Sequence, residues 1–351
     1  MSGEKKKASE ILAGFSTAEQ DATLRESLSR SYRQLKQAKD SRAAYIQAAY
    51  EGARDAIREA GPIPPVPEPK LPRRRRGREE AALIHSTDWQ GGKETPTYNT
   101  KVMRARVHQT FDKAFHLTDI QRTDHDVDHA VIAFGGDMLE GLMNFPTQVF
   151  EVDATIFDQW KNVGLLCVEV VRRALAKFKT VEVVSEWGNH GRIGSKRDAI
   201  PRADNLDRMA YELARQILAT DISIGKRLVW RDSIEDIQRI EIGEYRALLI
   251  HGDEMGRNGY SSPPAIARWA NDQRSGSYPW PFRDVFVGHY HFSGEVPMAN
   301  GHGTIFFTGS TESGSRYATD GMARGSVPTQ RMHFIDPIRG RVTSRYTIYL
   351  D

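Results

Sequence analysis

Five short segments of this chain each end an apolar run in a residue that can hold a metal ion: Asp88-Trp-Gln90, Gly135-Gly-Asp137, Gly188-Asn189-His190, His251-Gly-Asp253 and Gly288-His289-Tyr-His291. Carboxylate, amide oxygen and imidazole together make a hard-to-borderline donor set, suited to Mn, Fe or Zn more than to Ca or soft copper. A two-metal phosphoester hydrolase needs a bridging carboxylate, flanking ligands for each ion and a water held between them to supply the attacking hydroxide. Asp137, set free by the Gly135-Gly136 turn, is the natural bridge. Asp88 and His291 can serve the first ion, and Asn189, His251 and His289 the second. Gly288 lets backbone pass close to the ions, and the one-residue gap at Tyr290 sends both imidazoles the same way from a strand end. His190 is then left to face substrate, where it can protonate the leaving oxygen or stabilise the charged phosphorane. The cofactor expected is therefore a pair of divalent ions, manganese first, with Fe, Zn or Mg as alternatives.

Such residues must be carried to one place by the elements before them. Ala81 to Ser86, Ala130 to Phe134 and Val181 to Ser185 read as buried strands, separated by helical stretches around Asn99 to Leu117 and Phe157 to Lys177. That β-α-β alternation predicts a mostly parallel layered sheet, with ligands at the carboxyl ends of its strands. The second half changes character. Arg239 to Ile250 reads as a hairpin turning at Gly243, and Val285 to Val287, Thr304 to Thr308, Arg331 to Ile335 and Val342 to Leu350 are further strand candidates. Tight turns such as Asp336-Pro-Ile-Arg-Gly340 predict a second, mixed or antiparallel sheet. Two packed sheets with outer helices, an α/β architecture, follow from this.

Ahead of that body, residues 1–15 read as a disordered basic tail. Ser16-Thr-Ala-Glu19 is a capping box that opens a helical segment over 16–60, one long helix or a hairpin broken near Asp40-Ser41. A thin apolar stripe on it makes a homodimer through this helix an expectation. Residues 61–80 form a proline-rich linker ending in an arginine block, followed by a domain over 81–351. Within 61–78 six basic residues face the single acid Glu68, a net +5, so the rest of the chain carries −2 of the overall +3. A compact basic block beside a near-neutral body is a tether for polyanions, or a linker kept extended by self-repulsion.

No apolar run approaches the roughly 18 to 20 residues that span a bilayer, so no membrane partner is expected. The one cysteine, Cys167, forbids an internal disulfide and fits a reducing cytoplasm. Several other groups are set aside. Asp124-His-Asp-Val-Asp-His129 reads as a solvated polar loop, His85 as a core histidine within the first strand, and Ser310 and Ser313 lack the G-x-S-x-G frame of a serine nucleophile.

The order of the five motifs resembles the calcineurin-like metallophosphoesterase superfamily, whose pattern runs DxH, GD, GNH(D/E), a lone His and GHxH at strand ends. The resemblance covers about residues 81 to 315. It implies a four-layer αββα sandwich of two mixed sheets, Asp88, Asp137, Asn189, His251, His289 and His291 as ligands, and His190 as catalytic residue. Two departures stand out. Gln90 occupies the place of the histidine in the first motif, and its amide oxygen is a weaker ligand than imidazole. Gly191 and then Arg192 follow Asn189-His190 where the family has an acid, and Arg192 can clamp a phosphate. The strings Gly136-Asp-Met-Leu-Glu-Gly141 and Trp187-Gly-Asn-His-Gly191 lack the longer phosphoprotein-phosphatase signatures, which disfavours phosphoprotein substrates.

Arg192, Lys196, Arg197 and Arg202 line the loop after His190, and with Arg73, Arg74, Arg75 and Arg76 they can track a nucleic-acid backbone. Tyr260, Trp269, Tyr278 and Trp280 are candidates for base stacking, although Trp269 lies in a helical stretch. The chain is also similar in layout to phosphoesterases of tailed bacteriophages, relatives of SbcD-type DNA repair exonucleases. That likeness implies a phosphodiesterase or nuclease acting on DNA, in a bacterial cytoplasm. A small-molecule phosphatase or cyclic-nucleotide phosphodiesterase, and a metal-binding subunit without turnover, are the alternatives.

Overall fold

The apolar run that leads to Asp88 becomes the centre of a sheet. Strand β1 (Glu79–Ser86) is buried over nearly its whole length, because it is flanked on both edges and covered on both faces. The structure, a computed structural model, describes residues 61, 63–72, 77–142, 148–194, 202–231, 233–253, 263–301, 303–314 and 327–350, with a few positions in 48–59. The chain divides into two units, Met1–Glu59 and Ala60–Asp351. In the first, Ala48, Glu51, Gly52, Asp55, Ile57 and Glu59 are helical, and the rest of the expected 16–60 segment, like the 1–15 tail, lies outside the described residues.

The second unit holds eleven strands and four α-helices among its described residues. In order these are β1, α1 (Thr100–Gln121), β2 (Asp126–Gly135), α2 (Ile156–Lys177), β3 (Thr180–Glu186), α3 (Leu206–Ala219), β4 (Leu228–Arg231), β5 (Gln238–Ile242), β6 (Tyr245–Ile250), α4 (Pro263–Asp272), β7 (Asp284–Val287), β8 (Gly294–Pro297), β9 (Thr304–Phe307), β10 (Thr329–Asp336) and β11 (Arg341–Tyr349). Helix starts follow capping chemistry: Asn99, Thr155 and Asn205 each accept a backbone N–H of the first turn through the side chain.

One sheet has the order β11-β10-β1-β2-β3-β4 and the other β5-β6-β7-β9-β8. Strands β1 to β4 are mutually parallel, while β10 and β11 join them antiparallel. In the second sheet β6, β7 and β9 run parallel, and β5 and β8 close its edges antiparallel. Leu83, Val131 and Val184 from the first sheet meet Leu249, Phe286 and Phe306 from the second, so the main core lies between the sheets. Each such side chain contributes about 1.5–3 kcal/mol on burial. On the outside, α1 buries Met103, Val107 and Phe111, and α4 sets Ile266 and Ala270 against Leu248, Ile250 and Val285. The result is an αββα sandwich of two mixed sheets.

Several details differ from the sequence expectation. Helix α3 and the edge strands β4 and β8 were not expected; both strands are four residues long and alternate half-buried with exposed positions, too weak a pattern to stand out. The 124–129 stretch is a loop only in its first half, since β2 begins at Asp126 and His129 meets Thr180 across the sheet. Residues 63–72, within the proline-rich linker, run along the body: Val66 N–H donates to Asp221 at 3.0 Å, Arg172 donates to the Pro64 carbonyl, and Arg227 pairs with Glu68. A polyproline-like strand makes no internal hydrogen bonds, so its backbone groups are open to such partners. Among the described residues no helix is long and apolar enough to cross a membrane.

Candidate metal centre

The five motifs all fall at strand carboxyl ends: Asp88 after β1, Asp137 after β2, Asn189 and His190 after β3, His251 after β6, His289 and His291 after β7. The loops are tied to each other by backbone bonds. Asp88 N–H donates to the Gly136 carbonyl at 2.9 Å, Gln90 N–H to the Asp137 carbonyl at 3.0 Å, and Gly288 N–H to the His251 carbonyl at 3.0 Å. Glycine is required where they cross. A Cβ at Gly188 would collide with the Asp137 carboxylate, and one at Gly288 with Thr87 and Asp88.

The described non-glycine residues with positive φ are Asp88, Gln90, Asp137, His289 and His291. All five belong to the ligand set expected from the sequence. A left-handed backbone at such residues is uncommon and costs energy, and it is held here by the surrounding hydrogen bonds. The turn aims each side chain into the space between the strand ends.

Distances within the set are short. His251 Nε2 lies 3.0 Å from Asp137 Oδ2, and His291 Nε2 lies 3.2 Å from Asp88 Oδ1. Gln90 Nε2 is 3.3 Å from His291 Nε2, and the His251 and His289 rings are 5.0 Å apart. Donor atoms of Asp137, His251 and His289 all fall within 4.8 Å of one another. His190 N–H donates to Asp137 Oδ1 at 2.7 Å, while its ring Nε2 sits 3.9 Å from Asp137 Oδ2.

These residues fit a metal on the structure's own terms. His251 Nδ1 donates to the Gly135 carbonyl at 2.8 Å, which fixes the tautomer and leaves Nε2 as the ligating nitrogen. The Gln90 amide oxygen is buried with no hydrogen-bond partner among the described residues, an arrangement that suits a ligand and little else. Burial, then the neighbouring His251, press His289 down to about 4, so it stays in its neutral ligating form. Burial works against charge on Asp137, yet His251 and His190 hold its carboxyl well below the usual range.

Behind the ligands stand residues that the motifs do not reveal. Asp207, two positions after the Asn205 cap of α3, accepts N–H bonds from Met138, Leu139 and Gly188, which locks the Asp137 and Asn189 loops together. Burial and the Asp137 charge push it up to about 7. Glu140 lies 3.2 Å from His190 Nδ1, and Glu312, after β9, lies 3.3 Å from His291 Nδ1. Burial would lower His190, but Glu140 and Asp137 carry it up to about 9; burial would lower His291, but Asp88 and Glu312 carry it up to about 10. Glu140 was visible in the Gly136-to-Gly141 string, and the N-cap signature marks Asn205. Glu312 had no local signal.

The basic residues are placed less simply. Arg192 and Arg202 both pair with the buried Asp253, and Arg202 also meets Asp236. Lys196, Arg197, Arg73, Arg74, Arg75, Arg76 and Tyr260 lie outside the described residues. Trp269, Tyr278 and Trp280 pack against the outer core of the second sheet, and the Arg239 guanidinium lies over Tyr278 and Trp280. Ser310 is structural, donating to the Asp88 carbonyl at 2.7 Å. His85, as expected, is a core histidine, bonded to Thr308 at 2.7 Å.

Layers and site together define an αββα protein with a polynuclear-type cluster of ligands at one end of its sheets. No protein-family model and no curated protein sequence matches the chain. Among solved structures it is similar to an archaeal phosphodiesterase, at 12% identity and a TM-score of 0.36 over 76% of this chain and 99% of that one. It is similar to a zinc complex of Vps29 from Entamoeba histolytica, at 11% identity and a TM-score of 0.31 over 77% and 99%. A predicted phosphoesterase from Streptococcus pneumoniae gives 12% identity and a TM-score of 0.29 over 76% and 98%.

Proposed function

We propose that this chain is a two-metal-dependent phosphoester hydrolase whose substrate is a phosphodiester, with DNA as the preferred form. The observation that carries the reading is the convergence of Asp88, Gln90, Asp137, Asn189, His251, His289 and His291 from both sheets, five of them on left-handed backbone. Asp88, Gln90 and His291 would hold one ion, Asn189, His251 and His289 the other, and Asp137 both. Bound divalent ions supply Lewis acidity toward the phosphoryl group and acidify water.

The chain's own residues do the rest. His190 is held by its backbone N–H on Asp137 and by Glu140 at Nδ1, which leaves Nε2 toward the ligand cluster to donate a proton to the leaving oxygen. Trp89 and Trp187, adjacent in sequence to Asp88 and Gly188, are both fully buried. DNA as substrate is supported by the arginine block, which follows directly on a segment docked along the body. The pairing of Arg192 and Arg202 with Asp253 favours the second reading, a small phosphodiester that needs no extended basic track.

Purified protein with Mn is to be assayed on labelled single- and double-stranded DNA and on a chromogenic diester, beside His190→Ala and a variant with Arg73, Arg74, Arg75 and Arg76 changed to alanine. The DNA reading expects cleavage of DNA and a salt dependence of binding that flattens in the arginine variant, by up to about 0.9 in log–log slope per lost phosphate contact. Turnover of the chromogen with DNA left intact establishes the small-substrate reading instead.

A further inference from the structure

Lys93 is buried and sits three residues beyond Gln90, where its N–H donates to the Gln90 carbonyl at 3.0 Å. Its ammonium lies 3.6 Å from Glu140 Oε2 and 3.4 Å from Glu312 Oε1. Each carboxylate also meets an imidazole: Glu140 shares the same Oε2 with His190 Nδ1 at 3.2 Å, and Glu312 turns its other oxygen, Oε2, to His291 Nδ1 at 3.3 Å. The far nitrogens of the two rings face Asp137 and Asp88. A continuous line therefore runs Asp137, His190, Glu140, Lys93, Glu312, His291, Asp88, buried except at the half-buried imidazoles of His190 and His291. Among the described residues Lys93 is the one lysine or arginine paired with either carboxylate. Two like charges converging on one buried point repel strongly, and a cation between them removes the repulsion and fixes both.

We propose that Lys93 is a positioning residue that couples the ligand His291 to the leaving-group residue His190, by holding Glu140 and Glu312 in a shared clamp. The proposal rests on the reading of His190 given above. It predicts that the metal side and the leaving-group side of the site fail together when Lys93 is lost, although Lys93 itself touches neither imidazole in any contact described.

The test uses the full chain in three forms, Lys93→Met, Glu312→Gln and the double variant. Mn affinity is read by equilibrium titration. Turnover at saturating Mn is read with two aryl phosphodiesters, one with a good leaving group and one with a poor one. Lys93→Met should bind Mn about 10- to 100-fold more weakly, the range for a lost outer-shell partner. It should also lose at least about tenfold more rate on the poor leaving group than on the good one, as expected for a misplaced proton donor. In the double variant the repulsion is gone, so the leaving-group discrimination should return to that of Glu312→Gln, while Mn affinity stays low. Equal rate loss on both diesters, or unchanged Mn affinity, overturns the proposal. Should Lys93→Met not fold, the decisive measurement is the ring ¹⁵N spectrum of His190 in metal-free Glu312→Gln, assigned by its loss in His190→Asn. A shift of those signals carries the coupling through Lys93, and unmoved signals overturn it. Absence of turnover in the unmodified protein, with the Mn and ¹⁵N results as expected, refutes the hydrolase reading and leaves the coupling standing.

Discussion

His251 Nε2 and Asp137 Oδ2 stand 3.0 Å apart, both side chains closed off from solvent, and the opposite nitrogen of the imidazole is committed to the Gly135 carbonyl. Asp137 and His251 are thus fixed by the same Gly135-Gly136 turn, one through its backbone and the other through a hydrogen bond. Asp137→Asn should remove one charged oxygen from this contact and weaken Mn binding by more than about 100-fold, beyond the range of outer-shell changes. Isothermal titration with MnCl₂ checks it.

Gly188→Ala tests how tightly the loops are packed. The added methyl would strike Asp137 Oδ1, the oxygen that accepts His190 N–H, while Oδ2 is held against His251. The expected outcome is loss of Mn binding with folding retained, seen as an unchanged far-ultraviolet dichroism spectrum. A variant that binds Mn like the unmodified chain would show that the carboxylate can move.

Gln90→His should tighten the first ion. Imidazole is a stronger ligand than an amide oxygen for Mn, Fe or Zn, and the backbone at this position already holds the left-handed turn that its partner histidines share. A gain of about tenfold in affinity is expected, on the scale of 1.4 kcal/mol. Competition with a chelator of known affinity measures it.

His190 gives a pH dependence of definite sign. Its imidazole is raised to about 9, so the protonated donor form is complete well below that pH and is lost as pH rises through it. Cations at Asp137 would withdraw part of the support that Asp137 lends, so the alkaline fall in rate should lie at or below pH 9. His190→Ala should lose that limb together with about 10²- to 10⁴-fold in rate on poor leaving groups.

His85 and His333 make the acid side of stability predictable. Burial drives His85 down to about 3 from the ordinary 6.5, and burial holds His333 well below it, between Phe286 and Phe306. Both are neutral when folded, so the unfolded chain binds more protons below pH 6.5. Stability is therefore whole above 6.5 and lost as pH falls toward the folded values, by about 1.4 kcal/mol per pH unit for each histidine. His333 has no hydrogen-bond partner at either ring nitrogen among the described residues, so His333→Phe should make the fall of melting temperature toward acid pH shallower by one histidine's share, without a penalty at pH 7.

The residues proposed as ligands were legible in the sequence because each is written twice, once as an apolar run that must be a buried strand and once as a donor at its end. The supporting residues were not, because their roles arise from approach across the fold. Lys93 reads as one more polar loop residue until β9 brings Glu312 beside it, and Asp207 reads as a first-turn acid until the β2 and β3 loops present it with three N–H groups. Helix α3 carries its own signal, an Asn205 cap and an apolar face of Leu206, Ala210, Leu213 and Ile217, but it follows directly on the basic loop after His190. Apart from the edge strand β8, the strands of the second sheet were legible as strands, while β10 and β11, expected beside them, pair with β1 instead. The docking of residues 63–72 depends on Asp221 and Arg227, which no local pattern pairs with prolines.

The left-handed turns at Asp88, Gln90, Asp137, His289 and His291 mean that direction and chemistry are specified separately at this site. The main chain decides where a side chain is aimed, and the side chain decides only what arrives there. A position built in this way can exchange one donor for another without rebuilding its loop, and Gln90 holds the same left-handed backbone as His289 and His291. The centre is in that sense a socket with replaceable contacts, open to retuning of its metal by single substitutions that leave the frame untouched.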